Sequence, residues 1–108
     1  MINFITDVYE WNAERRERVH EVNLATKLLH EECNEANDAY LMLENYMATG
    51  NATNKGIIEH EAHLVKELFD VIFVATGILW RLELEPEQVQ ELFQICMASQ
   101  YSRSKAKN

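Results

Sequence analysis

Only three glycines and one proline punctuate the 108 residues of this chain. Ordinary proteins use these residues at about 7% and 5%, and every tight turn of a sandwich, barrel or disulfide scaffold draws on that supply. The chain therefore reads as all-α, the architecture that needs fewest turns. It also reads as one domain over residues 1–108, because no linker, repeat or low-complexity tract interrupts it. With 47% hydrophobic residues it has material for a single core.

Four helical patterns can be traced. Over residues 3 to about 20, Phe4, Ile5, Val8, Trp11, Arg15 and Val19 recur at spacings of three and four, with Asn3 or Thr6 as N-cap. A second helix runs from about Asn23 to Met47, and Ala48 to Gly56 carries the residues of a loop. The third extends from about Ile57 to Glu83, and between Leu68 and Trp80 its apolar residues occur on every side, which marks a helix buried in its own fold or in an assembly. Leu84-Glu85-Pro86-Glu87 breaks the pattern, with Pro86 in the first turn of a fourth helix through about Ser102. Four helices of this length make a thin, four-helix bundle-like protomer. Its core is expected to be completed by dimerisation or tetramerisation.

Eighteen acidic against ten basic residues give a formal net charge of −8. An excess of that size repels a phosphate backbone, so nucleic acid is not an expected partner. The longest apolar run, residues 71–80, is broken by Thr76 and Gly77 and is too short to span a bilayer. Without the basic start and apolar run of a signal peptide, the expectation is a soluble, cytoplasmic protein with no membrane partner. Cys33 and Cys96 lie far apart without CxxC spacing, and they read as reduced thiols.

The placement of acids is unusual. Residues advance about 100° along a helix, and with Glu32 as origin Leu28, Leu29, Ala36, Ala39, Leu43 and Met47 all fall within roughly 60° of it. Glu32 thus sits in the middle of the apolar stripe of the second helix, Glu35 borders it, and Glu31 lies about 100° away at the flank. The third helix repeats the pattern. Asp70 is the only ionisable residue between Leu68 and Trp80, and Glu67 lies about 60° round the same face one turn earlier. Buried carboxylates are costly unless paired or bound to metal. Four meeting inside a bundle repel one another unless a cation sits between them. Oxygen ligands without converging His or Cys suit Mg²⁺ or Mn²⁺, and Mg²⁺ so held keeps positions for water and substrate phosphates. The pattern points to metal-assisted phosphate chemistry.

Glu31-Glu32-Cys33-Asn34-Glu35 followed by Glu67-Leu68-Phe69-Asp70-Val71 resembles the EExxE and ExxD motifs of the MazG-like, all-α NTP pyrophosphohydrolase superfamily. Lys27-Leu28 before the first motif, the apolar helix after the second and Leu84-Glu85-Pro86-Glu87 extend the resemblance over roughly residues 23 to 103. It implies hydrolysis of a (deoxy)nucleoside triphosphate between the α and β phosphates, giving a monophosphate and pyrophosphate, in nucleotide-pool housecleaning. It further implies Glu32, Glu35, Glu67 and Asp70 as Mg²⁺ ligands, with Glu32 and Glu31 in catalysis, Glu31 holding a second ion or orienting the attacking water. Gln100 and Arg103, in Gln100-Tyr101-Ser102-Arg103, are the nearest match to the substrate contacts of the last helix.

Lys66, His63 and Arg81 fall on the Asp70 face, and Lys66, beside Glu67, is the candidate phosphate contact. His60-Glu61-Ala62-His63 is one residue short of the HExxH of a zincin. Glu17-Arg18-Val19-His20 has the ExxH spacing of di-iron bundles, but only one copy is present where two are needed. The alternative to an enzyme is an acidic helical interaction module, in which the acids serve only interhelical pairing.

Overall fold

In the computed structural model, which describes residues 3–15 and 22–107, the regular structure consists of four helices, with no strand among the described residues. They are α1 (Asn3–Ala13), α2 (Val22–Ala48), α3 (Asn54–Arg81) and α4 (Pro86–Lys107). The all-α class is as expected, while several boundaries differ for local reasons.

Helix α1 ends well before residue 20, giving way to a turn at Glu14 and Arg15. There the Arg15 N–H bonds the Asn12 carbonyl at 3.0 Å, and the Arg15 guanidinium donates to the Trp11 carbonyl at 2.9 Å. A cation placed here satisfies a carbonyl that the last turn leaves open. Val19 and the Glu17–His20 motif lie outside the described residues.

The pair α2 and α3 forms an antiparallel hairpin, the main packing unit of the chain. Small buried residues on α2, namely Ala25, Ala36 and Ala39, let α3 approach closely. The connection is short, and Gly50 there adopts a φ of 80°. Helix α3 begins earlier than the sequence suggests because Thr53 caps it, its hydroxyl accepting the Gly56 N–H at 3.1 Å. The Thr53 N–H in turn donates to the Tyr46 hydroxyl at 3.1 Å, and the Tyr46 ring stacks on His60 with centroids 4.5 Å apart. Tyr46 also fills the space a Cβ at Gly56 would need. This cluster fixes how the two helices leave the loop.

At its other end α3 stops at Arg81. Glu83 takes the left-handed conformation at φ 63°, and the Leu84 N–H reaches the Leu79 carbonyl at 3.3 Å, as in a Schellman motif. Helix α1 crosses this end, where Ile5 and Tyr9 pack with Trp80 and Val89 into a small core. The Tyr9 hydroxyl donates to the Leu84 carbonyl at 2.6 Å.

Helix α4 opens on Pro86, with the Gln88 side chain accepting the Glu85 N–H at 2.8 Å. Only its first turn is anchored, through Val89, and residues 90–105 are all exposed. The expected bundle is therefore not closed within one chain. The radius of gyration is 17.4 Å, against about 13 Å for a compact chain of this length. Nor is α3 buried on every side, since Leu68, Phe69 and Ile72 face outward. No helix among the described residues is long and apolar enough to cross a membrane.

Candidate metal centre

The α2/α3 hairpin sets the two acid motifs opposite each other across its seam. Carboxylate oxygens of Glu32 and Glu35 on α2 and Glu67 on α3 all lie within 4.8 Å of one another. Burial is graded across the group: Glu67 is buried at 7% exposure, Glu32 is half-buried and Glu35 is open to solvent. One oxygen of Glu32 and one of Glu67 are buried without a hydrogen-bond partner among the described residues. Orphaned carboxylate oxygens are costly in a folded protein. Their convergence from two helices is what a cation-binding pocket requires.

Protonation follows from the same crowding. Burial pushes the Glu32 carboxyl above its ordinary value, and the charges of Glu35 and Asp70, a hydrogen bond to Glu35 and the charge of Glu67 add to the shift. The influence of Asp70 places it beside the cluster, although it is not among the three that converge. Its carboxylate is paired instead with Lys66 Nζ at 3.1 Å. Lys66 also approaches Glu67 Oε1 at 3.5 Å, and His63 Nε2 lies 3.3 Å from that same oxygen. The Asp70 hydrogen bond and charge, followed by Glu67, raise the Lys66 pKa, so the side chain stays cationic. Lys66 thus offsets part of the negative charge from the α3 side.

The donor set fits a hard divalent ion. Three carboxylates and no sulfur or ring nitrogen within the group match Mg²⁺ or Mn²⁺. Neighbouring oxygens around an octahedral Mg²⁺ stand about 3.0 Å apart and opposite ones about 4.2 Å, so the three carboxylates, now within 4.8 Å of one another, would draw together to become ligands.

Other expected site residues fall elsewhere. Glu31 is exposed on the flank of α2, outside the three-carboxylate group. Gln100 and Arg103 are exposed on the part of α4 that runs clear of the hairpin, so within one chain they are not brought to the acids. Arg81 is buried near the α1 crossing, bonded to the Gly77 carbonyl at 3.2 Å, and belongs to a different part of the seam. Cys33 and Cys96 are free and exposed.

The periodicity of single helices does not reveal a second feature of this seam. A cleft of about 180 Å³ opens between α1, α2 and α3, lined by Trp11, Asn12, Leu28, Phe73, Gly77 and Arg81 among others. Leu28 lies one turn before Glu32, and Phe73 and Val74 lie one turn beyond Asp70, so the cleft adjoins the acids along the seam. Trp11 and Phe73 meet edge to face with centroids 5.0 Å apart. Asn12, only 2% exposed, donates from Nδ2 to the Val8 carbonyl at 2.9 Å. The signal was Gly77 in mid-helix: a Cβ there would stand 3.2 Å from the Arg81 guanidinium and 3.5 Å from Asn12. Comparison with known proteins returns no matching family model, no matching curated protein and no matching solved structure.

Proposed function

We propose that this chain is a Mg²⁺-dependent nucleoside triphosphate pyrophosphohydrolase, cleaving a (deoxy)nucleoside triphosphate between its α and β phosphates in the cytoplasm. The observation that carries this reading is the convergence of Glu32, Glu35 and Glu67, two of them with buried oxygens that have no hydrogen-bond partner among the described residues. Mn²⁺ is an equally suitable ion for the same ligands.

In this reading Glu32, Glu35 and Glu67 hold the ion, and Asp70 joins them when Lys66 turns from its carboxylate to a phosphate oxygen. The bound ion supplies a Lewis acid and lowers the pKa of a coordinated water. Glu32 would also accept the proton of the attacking water, and Glu31 on the flank would orient that water or hold a second ion. Lys66, and His63 when protonated, meet the triphosphate charge from the α3 side. The nucleoside lies in the adjoining cleft, where Trp11 and Phe73 present aromatic surface to a base. Nucleotide-pool housecleaning is the role that suits such a reaction. A homodimer or homotetramer is the proposed working unit, in which Gln100 and Arg103 contact substrate from a neighbouring copy.

The test is release of pyrophosphate and orthophosphate from a panel of NTPs and dNTPs, with and without Mg²⁺, by wild type, Glu32→Gln and Asp70→Asn. Metal-dependent pyrophosphate from wild type alone supports the reading. No release from any substrate leaves the acidic interaction module, and orthophosphate alone points to a different phosphatase chemistry.

A further inference from the structure

We propose that Asn12 and Arg81 make the cleft beside the acids a reader of the imide edge of a single-ring base, an N–H next to a carbonyl, so that the chain selects nucleotides of uracil or thymine. The inference rests on the placement of the nucleoside in that cleft and adds which base the cleft takes. Its volume is about 180 Å³, and a protein cavity of about 150 Å³ holds one benzene ring. One six-membered ring with its substituents therefore fits, whereas a fused purine projects from it. Gly77 follows Asp70 by about 10.5 Å along α3, a span that a sugar and a phosphate bridge.

Besides the Trp11 indole, the polar side chains lining the cleft are Asn12 from α1 and Arg81 from α3. They are 2% and 5% exposed. A carboxamide buried so deeply normally finds partners for both its ends. Among the described residues, however, the Asn12 side chain makes one hydrogen bond, from Nδ2 to the Val8 carbonyl at 2.9 Å. That carbonyl only accepts, so the amide nitrogen is the end turned back on α1 and Oδ1 is the acceptor offered to the cleft. Arg81 carries donors alone, and its guanidinium is held by the Gly77 carbonyl at 3.2 Å and lies over the Trp80 ring. Both groups flank Gly77, where a Cβ would stand 3.2 Å from Arg81 and 3.5 Å from Asn12. An acceptor beside a donor complements the N–H and adjoining carbonyl of uracil or thymine. Cytosine and adenine turn an unprotonated ring nitrogen to Oδ1 instead, which sets two acceptors face to face in a buried site. Guanine has the N–H and carbonyl but carries them on a fused ring pair. Trp11 and Phe73, edge to face at 5.0 Å, supply the apolar wall.

Calorimetric titration of dUMP, dTMP, dCMP, dAMP and dGMP into metal-free wild type, Asn12→Leu and Gly77→Ala tests it, with circular dichroism melts to check that the variants fold. In wild type, dUMP, dTMP or both should bind about tenfold or more tighter than the other nucleotides. Asn12→Leu, nearly equal in size but unable to accept the N–H, should erase that margin, and Gly77→Ala, whose Cβ crowds the guanidinium, should reduce it. The wild-type series decides by itself if a variant does not fold. Equal binding of all the nucleotides, no binding, tighter binding of cytosine or a purine, or a margin that folded Asn12→Leu leaves intact overturns the proposal. The readout uses neither metal nor hydrolysis, so it holds if the catalytic reading fails, whereas metal-dependent pyrophosphate release without base preference refutes the cleft assignment alone.

Discussion

Glu67→Gln should stabilise the metal-free protein and abolish its stabilisation by Mg²⁺. Glu67 is buried, and its carboxylate stands within 4.8 Å of those of Glu32 and Glu35. Two unit charges at that distance repel by about 3.5 kcal/mol at an effective dielectric of about 20. Lys66 at 3.5 Å offsets part of this, and Glu35 is exposed to solvent, which screens its charge. The net relief on neutralising Glu67 is then on the order of 1 kcal/mol, which corresponds to a rise in melting temperature of about 5 °C for a chain of this size. Mg²⁺ acts the other way. An ion bound only by the native state at about ten times its dissociation constant stabilises wild type by about 1.4 kcal/mol. The variant, with one ligand lost, should gain a few tenths of that at most. Thermal melts at fixed protein concentration, with and without millimolar Mg²⁺, therefore show the variant above wild type without metal and level with or below it with metal. A variant that melts lower without metal, or that gains as much from Mg²⁺ as wild type does, refutes the electrostatic reasoning.

Because Glu32 is pushed above its usual value of 4.5, the folded state keeps a proton there that the unfolded state has released. Its contribution to metal-free stability is therefore present at low pH and lost as pH rises through the raised value; the difference between wild-type and Glu32→Gln melting curves across pH isolates this, and its absence contradicts the assignment. Lys66→Met removes the cation beside Glu67 and Asp70, so it should lower metal-free stability, tighten Mg²⁺ binding several-fold and weaken nucleotide binding; titration calorimetry reads both affinities. Gly56→Ala drives a Cβ into the Tyr46 hydroxyl at the hairpin loop and should cost about 1–3 kcal/mol in urea unfolding, whereas Gly50→Asn, at an open position that needs a positive φ, should be tolerated.

The juxtaposition of acids across α2 and α3 was legible because a helix fixes its own angular arithmetic: a carboxylate centred on an apolar stripe points where the stripe points. The same arithmetic says nothing about what lies opposite the stripe. It could not show that α4 stands away from the hairpin, and hence that Gln100 and Arg103 do not reach the acids of their own chain. Helix ends were obscured by side-chain bonds that a periodicity does not contain, such as Arg15 on the Trp11 carbonyl and Thr53 on the Gly56 N–H. Glu83 in the left-handed region gave no warning either, because that position usually falls to glycine. The cleft beside the acids depends on three helices meeting, and only Gly77 hinted at it.

The proposed function requires carboxylates from α2 and α3 together to hold one divalent ion. Electron paramagnetic resonance of Mn²⁺ titrated with the protein measures this directly. Loss of the free-ion signal at one ion per chain, competed by Mg²⁺ and weakened about tenfold or more in Glu32→Gln and in Glu67→Gln, is the predicted result. An unchanged Mn²⁺ signal, or binding that both substitutions leave intact, contradicts it.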